Sequence, residues 1–206
     1  MATNLHTFMD IFGSVFEAEG EPVTLEKIII PMIQRDYAQG RQNAEVEKVR
    51  ERFLSALAGA VTDIPITLDL IYGDIDAEGV MTPLDGQQRL TTLFLLHWYA
   101  AKKEHIPEIE YEFLNRFSYS TRYSARDFCK RLILFTPDFK GSISEEIMDQ
   151  AWFPYSWQRD PTIHSMLVMI DAIDDKFSEI EDIWGRLKNK CHQFLFSSYQ
   201  GYGTYG

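Results

Sequence analysis

The chain has 206 residues, 45% hydrophobic and 25% charged, which is enough apolar material for a packed core and excludes disorder throughout. Its formal net charge of −11 excludes a protein that grips DNA phosphates with a generally basic surface, so any DNA contact has to rest on local basic patches. The two cysteines, Cys129 and Cys191, lack metal-ligand spacing and read as buried free thiols in a reducing compartment.

Residues 1–21 open the chain. Met1 to Asp10 hold no basic stretch followed by an apolar run, so no secretion signal is predicted and a cytoplasmic location is expected. Leu5, Phe8, Met9, Phe12, Val15 and Phe16 recur at helical spacing and predict a short N-terminal helix. Val23 to Ile30 end in a β-branched run before Pro31, the mark of a strand. Asn43 to Ala60 place Val46, Val49, Phe53, Leu54 and Leu57 on one helical face.

Thr67–Tyr72 and Val80–Leu84, separated by the turn Asp76–Gly79, predict a hairpin. Gln87 to Lys103 predict a helix buried on most sides, too short to span a bilayer. Helices are also predicted over 124–134, over 144–152, from the cap signal Asp160-Pro161, and over 179–196. The glycine-rich end, 197–206, reads as a flexible tail. Strands early and helices late give an α+β class. The organisation read is an N-terminal helix over 1–21, a core over 22–105, a helical extension over 106–196, and the tail.

Three segments hold candidate chemistry. At Asp85-Gly86-Gln87-Gln88-Arg89 a strand gives way to a helix. The first amides of a helix lack internal partners and attract anions. Gly86 lets the backbone bend and lets a ligand come close. Arg89 can clamp a phosphate, Asp85 can hold Mg²⁺ or orient water, and Gln87 or Gln88 can position water or a phosphate oxygen. The plainer reading is a helix cap, a turn residue and a surface charge. No P-loop pattern occurs in the chain.

The second segment, Ile30-Pro31-Met32-Ile33-Gln34-Arg35-Asp36-Tyr37, offers a donor, a cation and an aromatic ring in Gln34, Arg35 and Tyr37. Its plainer reading is an ion pair of Arg35 with Asp36 or Glu47. The third, 116–131, is locally basic. Arg122, Arg126 and Lys130 are four apart, a stripe on one helix face interleaved with Tyr119 and Tyr123. It suits DNA phosphates or a nucleotide, or equally an internal pairing with the acidic excess.

Taken in this order, the segments resemble the domain-of-unknown-function 262 family, the N-terminal part of GmrSD-type modification-dependent restriction enzymes. The family's I-P-x-[YI]-Q-R-x-Y segment matches residues 30–37, its G-D-I hairpin matches Gly73-Asp74-Ile75, and its D-G-Q-Q-R-L-T-T-L helix start matches Asp85 through Leu93. A later family block is similar to Arg122–Cys129, so the resemblance covers about 22–135 and extends towards 196.

The resemblance implies a fold similar to ParB and sulfiredoxin, and binding and hydrolysis of a nucleoside triphosphate with Mg²⁺ at the D-G-Q-Q-R motif. It also implies coupling to cleavage of modified or phage DNA. Carried over, Asp85, Gln87, Gln88 and Arg89 become catalytic candidates, with Asp85 on the metal. Gly86, Thr91, Gln34, Arg35 and Tyr37 would line the nucleotide cleft, and Arg122, Arg126 and Lys130 would meet nucleic acid. Ile33 departs from the tyrosine common at its position. The family's HNH nuclease domain has no counterpart among His6, His97, His105, His164 and His192, so nuclease action is expected from a partner domain or subunit. The alternative expectation is a non-catalytic DNA-binding or assembly module.

Overall fold

A computed structural model describes residues 5–18, 20–31, 44–120, 123–189 and 192–198. In chain order the elements are β1 (Leu5–His6), β2 (Val15–Ala18), β3 (Glu21–Thr24), β4 (Lys27–Ile30), α1 (Ala44–Thr62), β5 (Ile66–Ile75), β6 (Val80–Asp85) and α2 (Gln87–Lys103). They continue with β7 (Phe117–Tyr119), α3 (Tyr123–Leu134), α4 (Ile143–Met148), α5 (Pro161–Phe177), α6 (Ile183–Lys188) and β8 (His192–Ser198). The class is mixed, as expected: a six-stranded sheet ordered β1-β8-β5-β6-β4-β7, with helices prominent in the second half. A separate two-stranded ribbon pairs β2 with β3.

The hairpin forms because Asp76 and Gly79 close a tight turn. The Asp76 side chain accepts hydrogen bonds from the amides of Glu78 (3.1 Å) and Val80 (2.8 Å). Gly79 lies at φ 75° with the Thr24 carbonyl so near that a Cβ would come within 2.1 Å of its oxygen, and this close approach is what glycine allows. β5 then alternates buried Ile71, Gly73 and Ile75 with exposed Tyr72 and Asp74, the two-residue period of a half-buried strand.

α2 is the central helix. Every residue from Leu90 to Lys102 is buried, so it lacks the polar face of a surface helix. Its polar atoms are spent tying neighbours together. The Trp98 indole donates to the Leu132 carbonyl at 2.7 Å and the Tyr99 hydroxyl to Asp174 at 2.8 Å. Lys103 donates to the carbonyls of Phe177, the last residue of α5, and of Ile180 beyond it. Glu104 accepts the first two amides of α6, from Ile183 and Trp184. The start of α5 is the one the sequence marks, with Asp160 capping the amides of Thr162 (2.8 Å) and Ile163 (3.2 Å).

Several segments differ from expectation. Residues 5–17 form no helix: β1 pairs antiparallel with β8, Gly13 at φ 87° turns the chain, and β2 follows. The apolar spacing still buries Phe8 and Ile11 completely, but in a turn. The expected helix over 179–196 is α6 followed by β8, which enters the sheet between β1 and β5. Its pairing reaches Ser198, so 197 and 198 belong to the sheet, not to the tail. A strand buried between two others saturates its backbone on both sides, and that tertiary pairing overrides local preference. The sheet therefore draws strands from outside 22–105. The helix expected over 144–152 ends at Met148.

Candidate functional site

β4, β6 and β7 run parallel and lie side by side. All three therefore end at one edge of the sheet. β4 ends at Ile30, β6 at Asp85 and β7 at Tyr119, and each of the three sequence segments leaves from one of these ends. In open sheets the carboxyl ends of parallel strands are where ligands gather. The Ser120 amide donates to the Ile30 carbonyl at 3.0 Å, and the hydroxyls of Thr91 and Tyr119 share a hydrogen bond of 2.9 Å. These two bonds knit the ends together.

The bend between β6 and α2 depends on Gly86, the N-cap residue, at φ 88° and ψ 4°. A Cβ here would fall 2.7 Å from Cγ1 of Ile71. No side chain caps the first turn of α2, so Asp85 is not the helix cap of the plainer reading. Its carboxylate instead meets the guanidinium of Arg89 at 3.1 Å.

Arg89 reaches back across β5. Its Nη1 lies 3.0 Å from a carboxylate oxygen of Asp69, and its Nη2 donates to the Leu70 carbonyl at 2.9 Å and to Asp85. The Asp69 side chain is 93% exposed, whereas that of Arg89 is 17% exposed. The guanidinium is thus a mostly buried cation ion-paired to two acids that themselves face solvent. Asp69 reaches it because the pairing of β5 with β8 shifts register between Leu68 and Ile71, which leaves two successive residues, Asp69 and Leu70, exposed. Such bulges re-aim side chains.

Gln87 donates from Nε2 to the Pro83 carbonyl at 2.9 Å and is half-buried, as is Gln88. Thr91 is 1% exposed, and its hydroxyl also donates to the Gln87 carbonyl at 3.0 Å. Both of its hydroxyl contacts, to Gln87 and Tyr119, are internal to the fold. Gln34, Arg35, Tyr37 and Arg122 lie outside the described residues, as does Cys191. Cys129 is buried, and burial pushes its thiol well above the usual range, as expected of an inert structural thiol.

Of the basic stripe, Arg126 stacks over the exposed ring of Tyr123 at 4.7 Å, with its Nε 3.8 Å from Asp127, and Lys130 is exposed. The Ser124 hydroxyl donates to Asp160 at 2.6 Å, which joins the starts of α3 and α5. Sequence reasoning missed Asp69, whose only signal is an acid out of phase in the β5 alternation. It also gave no role to Tyr119 as the tether of Thr91.

Among the described residues no group of three His, Cys, Asp or Glu side chains is placed to hold a metal ion. A divalent cation at the strand ends would take one or two carboxylates, Asp85 first, and its remaining ligands from a bound phosphate and water, which is the usual habit of Mg²⁺. No helix among the described residues is long and apolar enough to cross a membrane.

A family model described as "GmrSD restriction endonuclease, N-terminal domain" matches residues 16–199. No curated protein and no solved structure matches the chain.

Proposed function

From membership of the GmrSD restriction endonuclease N-terminal domain family, to which this chain belongs, we propose that it is the nucleotide-binding and nucleotide-hydrolysing regulatory module of a DNA restriction system, acting in phage defence. The side-by-side carboxyl ends of β6, β4 and β7, which the three segments follow in sequence, support this reading. A helix start without a side-chain cap and a pre-set guanidinium stand at one of those ends.

In this reading the first amides of α2 and Arg89 take the phosphates. Asp85, now paired with Arg89, would hold Mg²⁺, which would supply charge neutralisation at the phosphates. Gln87 and Gln88 hold the attacking water, and Gly86 lets the phosphates approach the main chain. Gln34, Arg35 and Tyr37, which follow β4, complete the cleft or read the DNA. Arg122, Arg126 and Lys130 meet DNA phosphates, and an HNH nuclease domain or subunit cuts.

The test is a thermal-shift screen with nucleoside triphosphates and Mg²⁺. A ligand that binds only the folded state raises the melting temperature. A rise with at least one triphosphate, absent in Arg89→Ala, is expected. No rise with any triphosphate at millimolar concentration would overturn the reading.

The face of exposed Tyr123 and Lys130 with half-buried Arg126 favours a second reading, a non-catalytic DNA-binding module. It predicts salt-dependent DNA binding that ignores nucleotide and is lost in Arg126→Ala with Lys130→Ala.

A further inference from the structure

Away from the strand ends, the far end of α3 opens onto a cavity of about 700 Å³, within the size range of small-molecule sites. It is lined by Arg131 and Leu134 of α3, Phe135 after it, Glu146 of α4, and Asp149 and Trp152 beyond α4. Phe135 and Trp152 form an aromatic corner, with ring centroids 6.0 Å apart and planes at 62°. Trp152 is held in place by Phe128, Phe153 and Trp157, so the corner exists before any ligand arrives.

The polar groups are of three kinds. Arg131 has no ion-pair partner among the described residues, and neither has Asp149. Asp138, also on the lining, is neutralised by Lys140 at 3.2 Å. Glu146 accepts the Asp138 amide at 2.9 Å through one oxygen, while its other oxygen is buried without a hydrogen-bond partner. Burial, and next the neighbouring Asp138 carboxylate, hold the Glu146 carboxyl above its usual range. The cavity thus offers an aromatic corner, an unspent guanidinium, and acceptors on the remaining side.

The approach is charged as well. The face of α3 that bears Arg126 and Lys130 continues, four residues on, to Leu134 at the cavity. Positive charge leading to aromatic rings is the arrangement that collects nucleotides by stacking and phosphate contact.

We propose that this cavity binds a nucleotide, its base stacked on Trp152 with Phe135 against its edge, an amino group of the base donating to Asp149, and its phosphate on Arg131. The nucleotide is either free or part of a single strand whose backbone follows Arg126 and Lys130. The cavity itself does not rest on the strand-end reading, because none of the residues that line it belongs to that site.

The experiment is isothermal titration calorimetry on the full chain with adenosine monophosphate and, separately, with a hexamer of deoxyadenylate. Binding of at least one probe is expected. It should persist in Arg89→Ala, weaken about tenfold in Arg131→Gln, and vanish in Trp152→Leu. Arg131 is exposed, so its variant keeps the test decisive should Trp152→Leu fail to fold. If Lys130→Gln weakens the hexamer alone, the natural ligand is a strand; if only the monophosphate binds, it is a free nucleotide. The proposal is overturned if neither probe binds at millimolar concentration. It is equally overturned if Arg131→Gln binds as wild type does, or if Arg89→Ala abolishes binding.

Discussion

At the scale of single residues, the strand-end site depends on conformations and contacts with few substitutes. Gly86 combines φ 88° with a neighbour that leaves no room for a Cβ. Left-handed backbone alone costs an L-residue about 1–2 kcal/mol, and the contact with Ile71 adds to it. Gly86→Ala should therefore destabilise the fold by roughly 2 kcal/mol or more in urea unfolding, whereas an unchanged midpoint would show that the bend relaxes. Thr91→Val keeps the shape but removes both hydroxyl bonds, leaving the buried Tyr119 hydroxyl without that partner. A loss of about 1–3 kcal/mol is expected, with the site loosened where α2 meets β7. Gly86 and Arg89 were legible in the sequence because a glycine followed by a cation at a helix start has a local physical meaning. Asp69 was not, since its role depends on a register shift between two strands far apart in the chain.

At the scale of elements, the hairpin β5–β6, the buried α2 and the capped start of α5 were each legible. Every one carries its own signal: a closed acidic turn, an apolar run without a polar face, and Asp-Pro at a helix start. The cap can be tested directly. Asp160 accepts two helix amides and the Ser124 hydroxyl. Asp160→Ala should cost about 1–2 kcal/mol in chemical denaturation, and Asp160→Asn should recover part of it. A neutral Asp160→Ala would mean that packing alone fixes α5. The N-terminal turn and β8 were misread for a common reason. A two-residue strand and a strand in the middle of a sheet are made by partners, and Leu5 pairs with a residue, Leu195, near the opposite end of the chain. No window of local sequence contains that information.

At the scale of the whole molecule, the closing of the two chain ends onto one sheet buries a histidine pair. The rings of His97 on α2 and His192 on β8 lie 5.5 Å apart, and both are fully buried. Burial lowers the pKa of His97 to about 4 and, with the neighbouring His97, that of His192 to about 3. Both folded values fall below the ordinary 6.5, so the unfolded chain binds protons first as the solution is acidified. Stability is therefore intact above about pH 6.5. It falls as pH drops from there towards 4, by up to about 1.4 kcal/mol per pH unit for each histidine. Urea midpoints measured between pH 7.5 and 4.5 should show this slope, and His97→Phe should flatten it. A midpoint independent of pH in that range would place the pair in contact with water.

The sequence by itself determined the mixed class, the positions of most helices, the glycine bend and the family, because composition, apolar period, caps and turn residues act over a few neighbours. The tertiary structure decided which strands stand side by side, and hence that the strand ends at Ile30, Asp85 and Tyr119 meet at one edge. It also decided that the guanidinium of Arg89 is held by acids from two different strands. Strand order and register are set by burial and backbone pairing summed over the whole chain, a sum that no single stretch of residues contains.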